Sequence, residues 1–283
     1  MPGGRSLFEY TFYLLIVAFV YIAIGAPGLP QSYLSNPRAE DENITVPQET
    51  IDTLVYPDTS LQCPDHSFQI HIFSANPLII YIENFVSLSE ASHLIEQSES
   101  KWQLSTIFNG DEEVHNPAIR NSSKALIDRD TIVQCIEQRA LSVQGWPRDT
   151  FIERLWTQKY GTGGHYSHHF DWGAAGKMAR RVSTFMVYLA ADCTGGGTNF
   201  PRLKKPEDGK WSLFLDDNEK DVNGVTFKAI AGNAVFWMNF DAGGKGYQET
   251  IHAGMPVKGG SKVGLNVWSW YQAGHQVQQQ QEL

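Results

Sequence analysis

Residues 165–171 read His-Tyr-Ser-His-His-Phe-Asp. In an extended chain, residues two apart face the same side. His169 and Asp171 would then present an imidazole and a carboxylate together, with Phe170 turned away. A second imidazole from a distant strand would complete a facial triad, which suits non-haem Fe(II) and leaves coordination positions open. His252, 83 residues further on in Gln248-Glu249-Thr250-Ile251-His252-Ala253-Gly254, is the candidate. His66, His71, His93, His115 and His275 are isolated and read as surface or packing residues. Cys63, Cys135 and Cys193 fit no zinc-site spacing.

Lys262 lies ten residues after His252. A metal ion with three protein ligands has room for a bidentate 2-oxo acid and O2. If that acid is 2-oxoglutarate, its far carboxylate needs a buried cation, because a buried charge must be paired. On a strand, Lys262, Gly264, Asn266, Trp268 and Trp270 share one face, and Val263, Leu265 and Val267 share the other. That is a half-polar pocket wall backed by apolar core.

The elements that must carry these residues follow from periodicity. Residues 68–73 and 78–82 read as strands. Residues 89–96 read as a helix capped by Ser87 or Ser89, and Asp130 caps a second through Ile132, Cys135, Ile136 and Leu141. After Pro147 the chain is strand-rich, with candidate strands at 151–160, 165–172, 181–189, 225–230, 234–240, 251–257 and 262–271. Residues 204–224 are polar and read as a surface insertion. The fold class is α+β, mainly β: a jelly roll with early helices packed on one sheet.

Residues 1–26 hold a continuous apolar run, 11–26, preceded by Arg5 and Glu9. Its length fits a cleaved signal peptide or an uncleaved membrane anchor, and both lead into the secretory pathway, with the endoplasmic reticulum lumen the expected compartment. Asn43-Ile44-Thr45 and Asn121-Ser122-Ser123 are glycosylation acceptor patterns, and the terminal Gln280-Gln281-Glu282-Leu283 faintly matches a retrieval signal. Residues 27–66, rich in Pro, Ser and acidic groups, read as a stalk or linker, 67–275 as the catalytic domain and 276–283 as a polar tail. The three cysteines permit at most one internal disulfide. A net charge of −9 argues against a sequence-independent nucleic-acid binder.

Residues 155–172, from Leu155-Trp156-Thr157 through Tyr160-Gly161-Thr162-Gly163-Gly164 to His169-Phe170-Asp171-Trp172, resemble the iron-binding strand pair of the prolyl 4-hydroxylases. Gly195-Gly196-Gly197-Thr198, Gly232-Asn233-Ala234-Val235-Phe236-Trp237, His252-Ala253-Gly254-Met255-Pro256 and Gly260-Ser261-Lys262 resemble their later motifs in order and spacing. The resemblance runs from about Ile79 to Tyr271. It implies a double-stranded β-helix with Fe(II) on His169, Asp171 and His252. It implies 2-oxoglutarate and O2 as co-substrates, with Lys262 on the distal carboxylate, Tyr160 and Thr198 assisting, and ascorbate keeping the iron reduced. The implied reaction hydroxylates an unactivated C–H, foremost C4 of peptidyl proline, with succinate and CO2 as co-products. The presence of Asp171 favours hydroxylation over the halogenation of related enzymes that lack the carboxylate. Arg120, Ser122, Glu153, Tyr166, Arg181 and Trp268 fall where family members contact a peptide. Strict alternation puts Glu153 opposite Tyr160, so its role requires a bulge. Trp270 stands where many members carry histidine, which alters one expected wall of the substrate groove. Two other readings remain: a tailoring oxygenase of small molecules or other side chains, and a non-catalytic jelly-roll binding protein.

Overall fold

In the computed structural model, residues 51–274 are described, apart from 59, 110–111, 146, 173–178, 208 and 217–221. They belong to one compact unit, Asn43–Leu283. The apolar run at 11–26, the Asn43 acceptor, His275 and the C-terminal tail lie outside the described residues. Among the described residues, no helix is long and apolar enough to cross a membrane.

The chain begins with a hairpin of β1 (Gln69–Ala75) and β2 (Leu78–Glu83), then α1 (Leu88–Ser98). Short strands follow: β3 (Gln103–Leu104), β4 (Ile107–Asn109), β5 (Glu112–Val114), β6 (Arg120–Asn121) and β7 (Ser123–Leu126). After α2 (Thr131–Gln144) come β8 (Thr150–Ile152), β9 (Trp156–Tyr160), β10 (His165–His169) and the long β11 (Ala179–Gly195). The last strands are β12 (Thr198–Phe200), β13 (Val225–Phe227), β14 (Ala234–Met238), β15 (His252–Gly254) and β16 (Val257–Gln272).

Among the described residues, nine strands form a major sheet in the order β1-β2-β14-β11-β16-β9-β7-β3, with β8 added on β16. Five form a minor sheet in the order β13-β12-β15-β10-β6. The period-2 alternation of side chains gives the major sheet two different faces. Ile80, Ile82, Phe185, Val187, Phe236, Val263, Leu265 and Val267 pack in one core with Ala91 and Leu94 of α1 and Val133, Ile136 and Leu141 of α2. Ile79, Tyr81, Met186, Tyr188, Val235 and Trp237 instead join Phe200 and Phe227 of the minor sheet in a second core. The Lys262–Asn266 face of β16 therefore looks between the sheets, where a site can form.

The helices are held by local chemistry. Ser87 and Glu90 form a reciprocal capping box on α1. Glu90 then takes a two-point contact from Arg139 of α2, at 2.7 and 3.1 Å. Asp130 caps α2 by accepting from the Val133 amide. Gly145 ends it with a left-handed backbone (φ 79°), a conformation glycine adopts without Cβ strain.

Three expectations change here. The stretch expected as a linker is packed from residue 51 onward. Leu54 is buried, Val55 bridges to Ile152, and Cys63 is disulfide-bonded to Cys135 of α2. Residues 204–224 are more than a surface insertion. Trp211, Phe214 and Leu215 are buried and close the second core against Phe73 and Tyr81. The single strand expected over 151–160 is two, β8 and β9, with Glu153 in the break, so simple alternation does not govern its direction.

Candidate metal centre

Antiparallel pairing of β10 with β15 sets His169 directly opposite His252. The register slips between Tyr166 and His169, and β10 ends at His169. Asp171 therefore reaches the site from the turn after the strand, not by strand alternation. The structure nonetheless brings the three residues together: the ligating atoms of His169, Asp171 and His252 all lie within 4.8 Å of one another. Asp171 Oδ1 is 3.6 Å from His169 Nε2, and Oδ2 is 3.8 Å from His252 Nε2.

Each imidazole is oriented by its other nitrogen. His169 Nδ1 lies 2.8 Å from the Ser167 carbonyl and His252 Nδ1 lies 3.0 Å from the Thr250 carbonyl. A carbonyl only accepts, so Nδ1 carries the proton and the Nε2 lone pair is left for a metal. Burial, followed by the nearby His169, lowers the pKa of His252 to about 4, so this imidazole is neutral at pH 7. Burial alone would push the Asp171 carboxyl up, but His252, His169 and Arg181 outweigh it and hold Asp171 well below the usual carboxylate range. An ionised carboxylate and two imidazoles, each engaged through Nδ1 and turning Nε2 toward the other ligands, fit Fe(II). Asp171 Oδ2 also accepts from Thr184 Oγ1 (2.9 Å) and Trp268 Nε1 (3.1 Å).

The same cavity is lined by Tyr160, Tyr166, Met186, Thr198, Trp237, Gly254, Lys262 and Asn266. Lys262 is 1% exposed. Its ammonium donates to the Gly196 carbonyl and sits 4.8 Å over the Tyr160 ring, which faces it across the β9–β16 pairing. Among the described residues no carboxylate pairs with it. Burial lowers its pKa from 10.5 to about 8. A buried ammonium with only a carbonyl and an aromatic face is a receptor for an anion. Thr198 lies on β12 beside Gly254, with its hydroxyl 2.7 Å from the Tyr188 hydroxyl.

The residues expected at a peptide groove divide into two groups. Tyr166 stacks on His169 (3.7 Å between ring centres), and the Arg120 guanidinium lies 4.6 Å over Tyr166. Arg120 Nε donates to Ser122 Oγ, which donates to Ser105. In the second group, Arg181 makes a two-point contact with Glu153 at 2.7 and 2.8 Å. It also donates to the Asp171 carbonyl (2.9 Å) and lies 3.8 Å over the Trp268 ring. Arg181 and Trp268 thus contact Asp171 directly, and Glu153 holds Arg181 in place. Trp270 is buried with Leu54, Phe151 and Ala179 and does not line the cavity that holds His169, Asp171, His252 and Lys262. Sequence reasoning missed Thr184, Met186 and Tyr188 and gave Trp237 no role, while it placed Asn266 on the pocket face. The first three alternate on β11, a pattern that marks one face but not which face meets the metal.

A family model described as the 2OG-Fe(II) oxygenase superfamily matches residues 155–270. The chain is similar to the human prolyl 4-hydroxylase subunit alpha-3, at 29% identity over 206 residues, covering 70% of this chain and 34% of that protein. It is also similar to prolyl 4-hydroxylase 13 of Arabidopsis thaliana, at 26% identity, covering 93% of this chain and 94% of that one. Against the animal relatives, the chain spans about a third of their length. Among solved structures, a viral collagen prolyl hydroxylase from Paramecium bursaria Chlorella virus-1 aligns at 24% identity with a TM-score of 0.49. That alignment covers 68% of this chain and 95% of the other.

Proposed function

We propose that this chain, a prolyl 4-hydroxylase-like 2OG-Fe(II) oxygenase, hydroxylates peptidyl proline at C4, consuming 2-oxoglutarate and O2 and releasing succinate and CO2. The observation that carries the reading is one cavity joining a His169–Asp171–His252 cluster to a buried Lys262 that pairs with no carboxylate among the described residues. The resemblance to prolyl 4-hydroxylases supports proline-containing peptides as the substrate.

His169, Asp171 and His252 would hold Fe(II). When bound, the ion supplies O2 activation and C–H oxidation, and the protein supplies position and environment. Lys262 binds the distal carboxylate of 2-oxoglutarate by charge. Tyr160 flanks that carboxylate, and the Thr198 hydroxyl donates to it. Trp237, Met186 and Phe200 keep the inner end of the cavity dry. Tyr166 and Arg120, stacked outward from His169, form the wall along which the peptide lies, and Ser122 fixes the Arg120 fork. Glu153, Arg181 and Trp268 serve the peptide indirectly, by fixing that edge of the groove beside Asp171.

Ascorbate serves as reductant when the iron is oxidised. The chain works in the secretory pathway, in the endoplasmic reticulum lumen, entered through the apolar run at 11–26. The Cys63–Cys135 disulfide supports an oxidising compartment.

The test is succinate release by the purified chain with Fe(II), 2-oxoglutarate and ascorbate across a peptide panel. Proline-rich peptides should stimulate succinate formation and gain one oxygen at C4 of proline. Stimulation only by small molecules, or by no proline peptide, would overturn the substrate reading.

A further inference from the structure

Asp171 is gripped on one oxygen only. Oδ2 accepts two hydrogen bonds, from Thr184 Oγ1 at 2.9 Å and from Trp268 Nε1 at 3.1 Å. A carboxylate oxygen has about two lone-pair directions. Each oxygen faces one imidazole, Oδ1 at 3.6 Å from His169 Nε2 and Oδ2 at 3.8 Å from His252 Nε2. With both lone-pair directions of Oδ2 engaged by Thr184 and Trp268, Oδ1 is the oxygen left for an ion.

The Thr184 hydroxyl is itself oriented by a buried chain. Trp237 Nε1 donates to Asn239 Oδ1 (3.0 Å). Asn239 Nδ2 donates to Thr184 Oγ1 (3.3 Å) and to the Arg181 carbonyl (3.1 Å). Thr184 and Asn239 are 0% exposed and Trp237 is 1% exposed. An amide N–H only donates, so the Thr184 oxygen accepts from Asn239 and its own proton must point at Asp171. The indole of Trp237 also lies 4.6 Å from the His252 ring. One strand, β14, and the residue after its end thus brace two of the three ligands.

We propose that Thr184, oriented by Asn239 and Trp237 and assisted by Trp268, forces Asp171 to bind metal through Oδ1 alone. A chelating carboxylate would occupy one of the positions a 2-oxo acid and O2 require. Thr184, Asn239 and Trp268 are therefore positioning residues that keep those places open. The inference rests on the reading of the triad as an iron site.

The experiment is Co(II) binding by calorimetry on the full chain, with anaerobic Fe(II) plus 2-oxoglutarate monitored through its visible charge-transfer band. Thr184→Val removes the hydroxyl at nearly constant volume, Thr184→Ser restores it, and Trp268→Phe removes the indole donor while keeping a ring under Arg181. Loss of such an outer partner costs about 10–100-fold in metal affinity. Thr184→Val should weaken Co(II) binding by about that factor and shift the band. Thr184→Ser should return both to wild type, and Trp268→Phe should show a smaller change in the same direction. Folded Thr184→Val and Trp268→Phe proteins with wild-type affinity and an unshifted band would overturn the inference. So would failure of Thr184→Ser to rescue. A wild-type chain that binds no Co(II) and gives no band would instead overturn the iron reading itself, and this inference with it.

Discussion

The two ends of the central cavity are built differently. At the metal end every ligand is restrained through an atom it does not offer to the ion: His169 by the Ser167 carbonyl, His252 by the Thr250 carbonyl, and Asp171 by Thr184 and Trp268. At the other end Lys262 has a carbonyl, an aromatic face and no carboxylate among the described residues. The first end is complete before its ligand arrives, and preorganised ligands need little rearrangement to bind an ion. The second end carries an unbalanced charge that the co-substrate would neutralise. Burial of the Lys262 ammonium costs stability that a bound dianion returns.

Breaking the metal end should have the largest effect. His169→Ala leaves two ligands and should abolish both Co(II) binding and succinate formation, read by calorimetry and by product assay. Retention of stoichiometric metal binding would mean that other groups hold the ion. Breaking the far end should act on affinity. Lys262→Met removes the charge from a fully buried partner pair, a change that costs about 2–5 kcal/mol. The KM for 2-oxoglutarate should rise by about 30-fold or more, while metal binding without co-substrate stays intact. If both variants lose metal alike, the two ends are not separable.

The contrast also predicts a pH response. Burial lowers the pKa of Lys262 to about 8 in the folded protein, from 10.5. Binding of the dianion needs the charged form, so affinity for 2-oxoglutarate should fall as pH rises through about 8. Stability without co-substrate should move the other way. Between about 8 and 10.5 the unfolded chain binds more protons at this lysine than the folded one, so this group's contribution to stability rises with pH. Thermal melts of wild type and Lys262→Met across that range would show the difference: the slope assigned to the lysine should vanish in the variant.

What was legible before the structure follows the same division. His169, His252, Asp171 and Lys262 stand out because their side chains are costly to bury without a purpose, and their spacing matches strand geometry. Even so, the parity argument for Asp171 was superseded, since β10 stops at His169 and the carboxylate arrives from a turn. Thr184, Asn239 and Tyr188 were silent. Thr184 and Tyr188 are ordinary strand-core residues and Asn239 follows the end of β14; the role of each depends on which strands pair, and the β11–β16 register, with its three slips, is set by contacts far apart in the chain. The helix caps at Ser87 and Asp130 were legible because capping is local. The packing of Leu54 and Trp211 was not, because single apolar residues among charges give no period.

The smallest expected effect tests whether the far end is as unfinished as it looks. Thr198 Oγ1 is 2.7 Å from the Tyr188 hydroxyl. Burial raises the pKa of that phenol well above its usual value, so it keeps its proton. If Tyr188 donates to Thr198, the Thr198 proton is free for a carboxylate beside Lys262. Thr198→Val deletes that donor. One hydrogen bond contributes about 1 kcal/mol net, so the KM for 2-oxoglutarate should rise roughly fivefold. The bond is made equally in ground and transition states, so kcat should hold. The variant also leaves the buried Tyr188 hydroxyl without its partner, at a cost of about 1–3 kcal/mol in stability. Tyr188→Phe removes the upstream donor and keeps the Thr198 hydroxyl, so it should shift KM less than Thr198→Val does. Equal shifts in the two variants would mean that Tyr188, not Thr198, faces the co-substrate. A fall in kcat with either would mean that this end also senses the reacting atoms, and the contrast between the two ends would fail.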